Sequence, residues 1–378
     1  MQVYFDNAAT TPMDPEVVAV MVEAMENDFG NPSSIHARGR QVKTLVEQAR
    51  KTVASLLNTS PAEIFFTSGG TEADNMAIVR SIKDHDIKHA ISSPLEHHAV
   101  LHTLEALEKE GRITLSLLDV DEQGHVDLDQ LENLLKNNSR SFVSLMHGNN
   151  EIGTMTDIEK VGTLCKEHHA LFHSDTVQTV GHFVHDLQTL PVDFMTGAAH
   201  KFHGPKGVGF LYVNHQTKIN PLLYGGAQER NMRGGTENVY GIIGLAKALE
   251  LAYSHMNTHR KHIEDLKSYM TERLKNEIAD VRIQGDTDPN NSLYTVLNVS
   301  FPCTELSDMM LFSLDIEGIC VSGGSACSSG SDIGSHVLTA IGADTNRPCV
   351  RFSFSKYNTR EEVDYVVEKV KELCMQHA

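Results

Sequence analysis

Apolar positions recur along this chain with two alternating periods. After Asp14-Pro15, the residues Val17, Val18, Met21, Ala24 and Met25 follow helical spacing up to Gly30. Asp14 is placed to cap that helix and Pro15 to open it. Residues 38–57 repeat the pattern through Val42, Leu45, Val46, Ala49, Val53 and Leu56. Beyond them, short apolar runs alternate with helical segments. Ile64-Phe65-Phe66 leads into TSGGTEADN and a helix from about Glu72, and Ala90-Ile91-Ser92 leads into a helix near His98–Glu110. Phe142–Met146, Ala170–His173 and Phe194–Met195 each end in a polar loop, and Gly207–Val213 reads as a further strand. Strands alternating with helices predict a mostly parallel α/β sheet. In such sheets ligands bind beyond the carboxyl ends of the strands, where the polar loops of this chain fall.

The pattern then changes. A helical stretch from about Thr236 to Leu274 is followed by the turn-rich QGDTDPNNS, by Leu297–Phe301, and by a last helix, Arg360–Met375, with Val363, Val366, Val367, Val370 and Leu373 on one side. This predicts a large domain over 15–254 and a smaller α+β domain built from 1–14 and 255–378.

Composition narrows the class. Of the 378 residues, 40% are hydrophobic and 22% charged, which fits a soluble globular protein of two domains rather than one. No apolar run reaches membrane-spanning length, and the opening MQVYFDNAATTP has no leader-like character, so a mature cytoplasmic protein is expected. The 32 Lys and Arg against 50 Asp and Glu give a net charge of -18, which argues against nucleic acid or an anionic membrane as a partner. The six cysteines form no CxxC pair, which fits a reducing compartment, and the 21 histidines show no zinc-site spacing, so no metal is expected.

Five loops carry candidate chemistry. In SGGTEADN (68–75), Gly70 lets the backbone turn tightly and Thr71 opens a helix, which makes an anion cradle of N–H groups and a hydroxyl. In AAHKFHGPKG (198–207), Lys201 sits between His200 and His203 after a strand, a position suited to an amine nucleophile or Schiff-base former. Asp175 and Gln178 follow the strand ALF; an Asp there offers a counter-charge to a protonated ring nitrogen, although capping the next helix is an equal reading. His97 in LEHHAV can stack on a flat ring and move protons. Asn149 and Asn150 in HGNNEIG can hold a phenolate oxygen, or can simply form a turn. Together they describe a site for pyridoxal 5'-phosphate. Apart from these loops stands SGGSACSSGS (322–331), where Cys327 lies among glycines and serines that can build no core.

Nearly end to end, the sequence resembles the cysteine desulfurases of the branch with an SGSAC-type motif. The resemblance rests on YFDNAATTP (4–12), FGNPSSIH (29–36), FTSGGTEADN (66–75), EHHAV, NNEIG, Asp175 with Gln178, AHKFHGPKG, QERNMRGGTEN (228–238), GGSACSSGS and VRFSFS (350–355). It implies the aspartate-aminotransferase-like fold type I, a homodimer, and conversion of L-cysteine to L-alanine. It also implies that Cys327 takes the sulfur as a persulfide and passes it to a sulfur-acceptor or iron–sulfur scaffold protein. Lys201 would hold the cofactor covalently; Gly70, Thr71 and His200 would bind its phosphate, joined by Thr236 from the partner subunit. Asp175 would pair with the ring nitrogen, Gln178 and Asn150 with the phenolate oxygen, and His97 would stack on the ring. Arg351, with Asn31, would bind the substrate carboxylate. One departure is Ala198, which stands where the family usually has Ser or Thr as a phosphate ligand. The alternatives are a selenocysteine lyase or another fold type I enzyme, and a non-enzymatic sulfur carrier, for which Lys201, Asp175 and His97 would have no purpose. Residues 323–333 are expected to be mobile, since Cys327 must visit both cofactor and acceptor.

Overall fold

The strands run, in chain order, β1 (Val3–Tyr4), β2 (Ile64–Thr67), β3 (His89–Ser92), β4 (Thr114–Leu117), β5 (Ser141–Ser144), β6 (Leu171–Asp175), β7 (Phe194–Ala198), β8 (Gly209–Val213), β9 (Arg282–Gln284), β10 (Val296–Ser300), β11 (Ile319–Cys320) and β12 (Cys349–Ser353). They are taken from a computed structural model, which describes residues 1–302, 309–323, 334–344 and 346–375. Seven of them form one sheet in the order β2-β8-β7-β6-β5-β3-β4. Pairing is parallel from β7 through β6, β5 and β3 to β4, whereas β8 runs antiparallel to both β7 and β2. β2 therefore points the same way as the parallel strands, and the carboxyl ends of β2, β3, β5, β6 and β7 open on one edge.

The central strands are buried along their whole length, as expected of a sheet covered on both faces. One face packs against helices Ala37–Leu56 and Val239–Ser254 through Val42, Val46, Val53, Leu245 and Leu249. The other packs against Gly70–Asp84 and His98–Lys109 through Met76, Ile78, Val100 and Leu104. Among the described residues no helix is long and apolar enough to cross a membrane.

A second core forms around the antiparallel sheet β12-β10-β9. It joins Leu266 and Met270 of helix Met256–Glu277 to Val363, Val366 and Val370 of helix Arg360–Met375. Val3 and Phe5 from the amino terminus are buried in this core, and β1 pairs in parallel with β11. The single helical stretch expected over 236–274 is two helices, Val239–Ser254 and Met256–Glu277, which meet at His255. The first is anchored in the core of the large sheet and the second in that of the small one, so the stretch turns between two packing surfaces.

Candidate active site

The sequence after β2 starts the site. The helix Gly70–Asp84 has Gly69 at its N-cap and no side-chain cap, so its first N–H groups receive no partner from a capping side chain. Gly69 adopts a φ of 154°, a backbone conformation open to glycine. A Cβ on Gly70 would come within 2.9 Å of Val177 Cγ2, so the glycine lets the loops after β2 and β6 meet. Glu72, in the same first turn, accepts from Ser68 N at 2.8 Å and pairs with Arg233 at 2.9 Å.

The loops after β3, β5, β6 and β7 complete a cavity of about 250 Å³. Gly70, Thr71, His97, Asn150, Asp175, Gln178, His200, Lys201 and Arg351 all line it. The Lys201 ammonium donates to the carbonyls of Ala8 at 2.5 Å and Ala9 at 3.0 Å, and Gln178 Nε2 donates to Ala8 at 3.0 Å. The amino-terminal loop is thus a wall of the site. It is held there by Thr11, which donates through Oγ1 to the His200 carbonyl at 2.9 Å.

Electrostatics sort the titratable groups. His97 caps the helix His98–Lys109, its Nδ1 accepting from Ala99 N at 3.2 Å, which leaves the ring proton on Nε2. Burial, reinforced by the positive charge of Lys201, pulls its pKa down to about 4, so the ring is neutral at physiological pH. His200, next to Thr10 at 3.2 Å, is likewise lowered to about 4 by burial. Asp175 is pushed up to about 7, chiefly by burial and then by the nearby Asp74. One of its oxygens accepts from Val177 N at 2.9 Å, and the charges of His173 and Lys201 pull its pKa the other way.

Arg351 reaches the cavity from the other sheet. It sits mid-strand on β12, paired with Asn298 of β10 on one side and with Ser322 on the other, and its side chain is 1% exposed. Nη1 donates to the Asn150 carbonyl at 2.9 Å and Nη2 to Asp6 at 2.8 Å, while the buried Nε has no acceptor among the described residues.

Two of the expected residues that the structure describes are not in this cavity. Thr236 lines a separate one of about 180 Å³ with Arg233 and Gly235. Asn31 is exposed, and its side chain accepts from Ser33 N at 2.9 Å within its own loop. Cys327 lies outside the described residues, as does all but Gly323 of the segment 323–333 that was expected to be mobile. Conversely, the cavity contains Ala8, Ala9 and Asp74, which the sequence reading left without roles. Asp74 had a signal available, being the acidic residue one helical turn after Thr71. The Ala8-Ala9 carbonyls had none, because backbone acceptors look alike in a sequence.

The comparisons with known proteins agree with this geometry. The aminotransferase class-V family model matches residues 3–366. The chain belongs to that family. The chain is 43% identical over 376 residues to "Cysteine desulfurase IscS" of Dictyoglomus turgidum, covering 98% of this chain and 94% of that one. It is 41% identical over 377 residues to "Putative cysteine desulfurase IscS 1" of Bacillus subtilis, covering 98% of each. A solved structure of a NifS-like protein superposes with a TM-score of 0.91 at 38% identity, covering 99% of both chains. The fold is accordingly the fold type I architecture of pyridoxal-phosphate enzymes, and pyridoxal phosphate is the cofactor.

The cavity fits that cofactor on its own terms. An uncapped helix start suits the phosphate. Asp175, a buried carboxyl lining the cavity, suits a protonated ring nitrogen. Arg351 Nε, buried without an acceptor among the described residues, suits a substrate carboxylate. Ala198 is buried in the cavity wall and offers no hydroxyl, whereas Thr71 and His200 line the same cavity with polar side chains.

Proposed function

We propose that this chain carries out the cysteine desulfurase reaction with the residues gathered around Lys201. L-Cysteine is converted to L-alanine, and its sulfur passes to Cys327 for delivery to acceptors in iron–sulfur cluster assembly, tRNA thiolation or related pathways. The supporting observation is the convergence of Lys201, Asp175, His97 and Arg351 on one cavity of about 250 Å³, although they come from four different loops and strands.

Bound pyridoxal phosphate supplies an electron sink that weakens bonds at the substrate's α- and β-carbons. Lys201 holds the cofactor and its amine moves the proton at Cα. Gly70, Thr71 and His200 bind the phosphate, Asp175 the ring nitrogen, and Gln178 and Asn150 the ring oxygen. His97, neutral and with its proton on Nε2, stacks on the ring and exchanges protons with the thiol groups. Arg351 binds the substrate carboxylate through the edge that carries its unpartnered Nε, with Asn31 contributing from its loop.

The Cys327 thiolate forms an S–S bond to the substrate sulfur as the substrate's C–S bond breaks. The electron pair of that bond stays on the β-carbon, which takes up one proton to become the methyl group of alanine.

The working unit is a homodimer. Support comes from exposed apolar residues such as Val22, Met25, Phe29, Ile35 and Tyr224. Thr236 would serve the partner's cofactor across that boundary. The chain divides into a large domain over 15–254 and a small one over 1–14 and 255–378, supported by the separate cores around the two sheets. A cytoplasmic setting is supported by the acidic balance and by unpaired Cys165, Cys320, Cys349 and Cys374.

Mass spectrometry after incubation with L-cysteine tests the assignment. The peptide bearing Cys327 should gain about 32 Da, one sulfur atom. Sulfide and alanine release at the wild-type rate by Cys327→Ala would overturn it.

A further inference from the structure

Three successive residues other than glycine, Glu229, Arg230 and Asn231, carry positive φ values of 43°, 57° and 65°. Such residues enter this region singly and at a cost, so a run of three persists only where its surroundings impose it. Here the helix Ala37–Leu56 imposes it. The Arg50 guanidinium donates from both Nη atoms to the Glu229 carboxylate, at 2.7 and 2.8 Å, and the two side chains are only 2% and 3% exposed. Arg50 also pairs through Nε with Glu47 at 3.2 Å, and Glu47 pairs with Arg230 at 2.8 Å. Two of the three left-handed residues are thus tied to one helix.

The same ion pair closes a sheet edge. β2 is the outermost strand of the large sheet and pairs only with β8. On its other side the Ile64 carbonyl accepts from Arg50 Nη1 at 2.8 Å, and Phe66 N donates to Glu229 at 2.8 Å. β2 leads directly to Gly70 and Thr71, to which the cofactor phosphate is assigned. A second pair, Arg233 with Glu72 at 2.9 Å, ties the loop after the left-handed turn to the first turn of that helix. The loop then reaches Thr236, which is exposed on this chain. A buried ion pair is often no more stabilising than apolar side chains of similar volume, so stability alone gives little reason for Arg50 and Glu229. What they fix is the turn that begins the path to Thr236.

Given the homodimer and the role of Thr236 proposed above, on which this rests, we propose that Arg50 and Glu229 are positioning residues for the cofactor of the partner subunit. They lock the turn at 229–231 against β2, so that the loop leaves the phosphate-binding end of one subunit with Thr236 held out toward the phosphate bound in the other. Neither residue touches the cofactor itself.

The test reads the ratio of the dissociation constants of pyridoxal and pyridoxal phosphate. Each is titrated into the full-length protein after removal of its cofactor, and the Schiff-base absorbance at Lys201 is followed. The ratio isolates the phosphate contacts, because a general loosening of the fold weakens both ligands alike. Thr236→Ala should lower it about tenfold, the worth of one hydrogen bond to a charged group. Arg50→Lys, which keeps the charge but loses the fork, and Glu229→Gln, which keeps an oxygen for Phe66 N, should each lower it by a similar factor. The double variant Arg50→Met with Glu229→Leu leaves no buried charge unmatched, which protects the fold, and should behave in the same way. Adding Thr236→Ala to any of these should bring no further loss, since all act through one contact. Loosening of the loop after β2 would instead add to the Thr236→Ala loss, and additivity would overturn the proposal. So would a wild-type ratio in the variants of the pair beside a lowered ratio in Thr236→Ala, an outcome that leaves the role of Thr236 standing. An unchanged ratio in Thr236→Ala would overturn that role, and the positioning role with it.

Discussion

The seven-stranded sheet supplies its side chains to the cofactor cavity from loops just beyond its strands, whereas the three-stranded sheet supplies Arg351 from the middle of β12. Loop positions such as Lys201 and His97 are free of ladder hydrogen bonds and can take any chemistry that the sheet edge presents. Arg351 is instead set between β10 and Ser322 and has little freedom beyond its side chain. The first region is built for chemistry on a fixed cofactor. The second places one charge whose distance from the cofactor depends on how the two cores sit together. The difference predicts that damage to the first region removes turnover, while damage to the second mainly weakens substrate binding.

The largest effect is expected at Lys201. Lys201→Ala should lower kcat by at least about a thousandfold and abolish the borohydride-fixable cofactor; a retained adduct on another lysine would break the assignment. Asp175→Asn should cost roughly a hundredfold in kcat, with little change in KM for L-cysteine, because the charge it contributes acts on the ring and not on the substrate.

Arg351→Lys sharpens the contrast. It keeps the charge but loses the planar fork, so KM for L-cysteine should rise roughly tenfold to a hundredfold while kcat falls less. A loss confined to kcat would place Arg351 in the first class and erase the distinction.

The smallest effect is on acid stability, and it belongs to the large-sheet region. His97, His173, His185, His200 and His203 are each lowered by burial from 6.5 to about 4. Between those values the unfolded chain binds protons that the folded chain refuses, so stability falls as pH drops from 6.5 toward 4. Asp74 and Asp175, raised to about 7, and Glu96, raised well above its usual value, act in the opposite direction. Asp193 is raised as well, but His89, His98, His147 and His182 are also lowered by burial, so lowered imidazoles outnumber raised carboxyl groups and acidification is a net loss. Urea midpoints of the cofactor-free protein should therefore decline through this window; a flat or rising profile would show that the carboxyl groups dominate.

Much of this was legible in the sequence. The loops after β2, β3, β5, β6 and β7 were located by apolar runs ending in polar motifs, and nine of the expected residues share one cavity. Short-range signals sufficed because each motif sits directly after the strand that positions it. The break at His255 was not legible, since both helices carry helical apolar spacing and only their separate packing surfaces part them. Nor were the roles of Ala8 and Ala9, whose contribution is backbone carbonyls.

The sequence by itself determined the alternation of strands and helices, the identity of the chemical groups and the family, because periodicity and motif spacing are local properties of the chain. Only the tertiary structure decided that Arg351 from β12 and the carbonyls of Ala8 and Ala9 reach the same cavity as Lys201. Those meetings join residues nearly two hundred positions apart or more, and they depend on how two hydrophobic cores pack against each other.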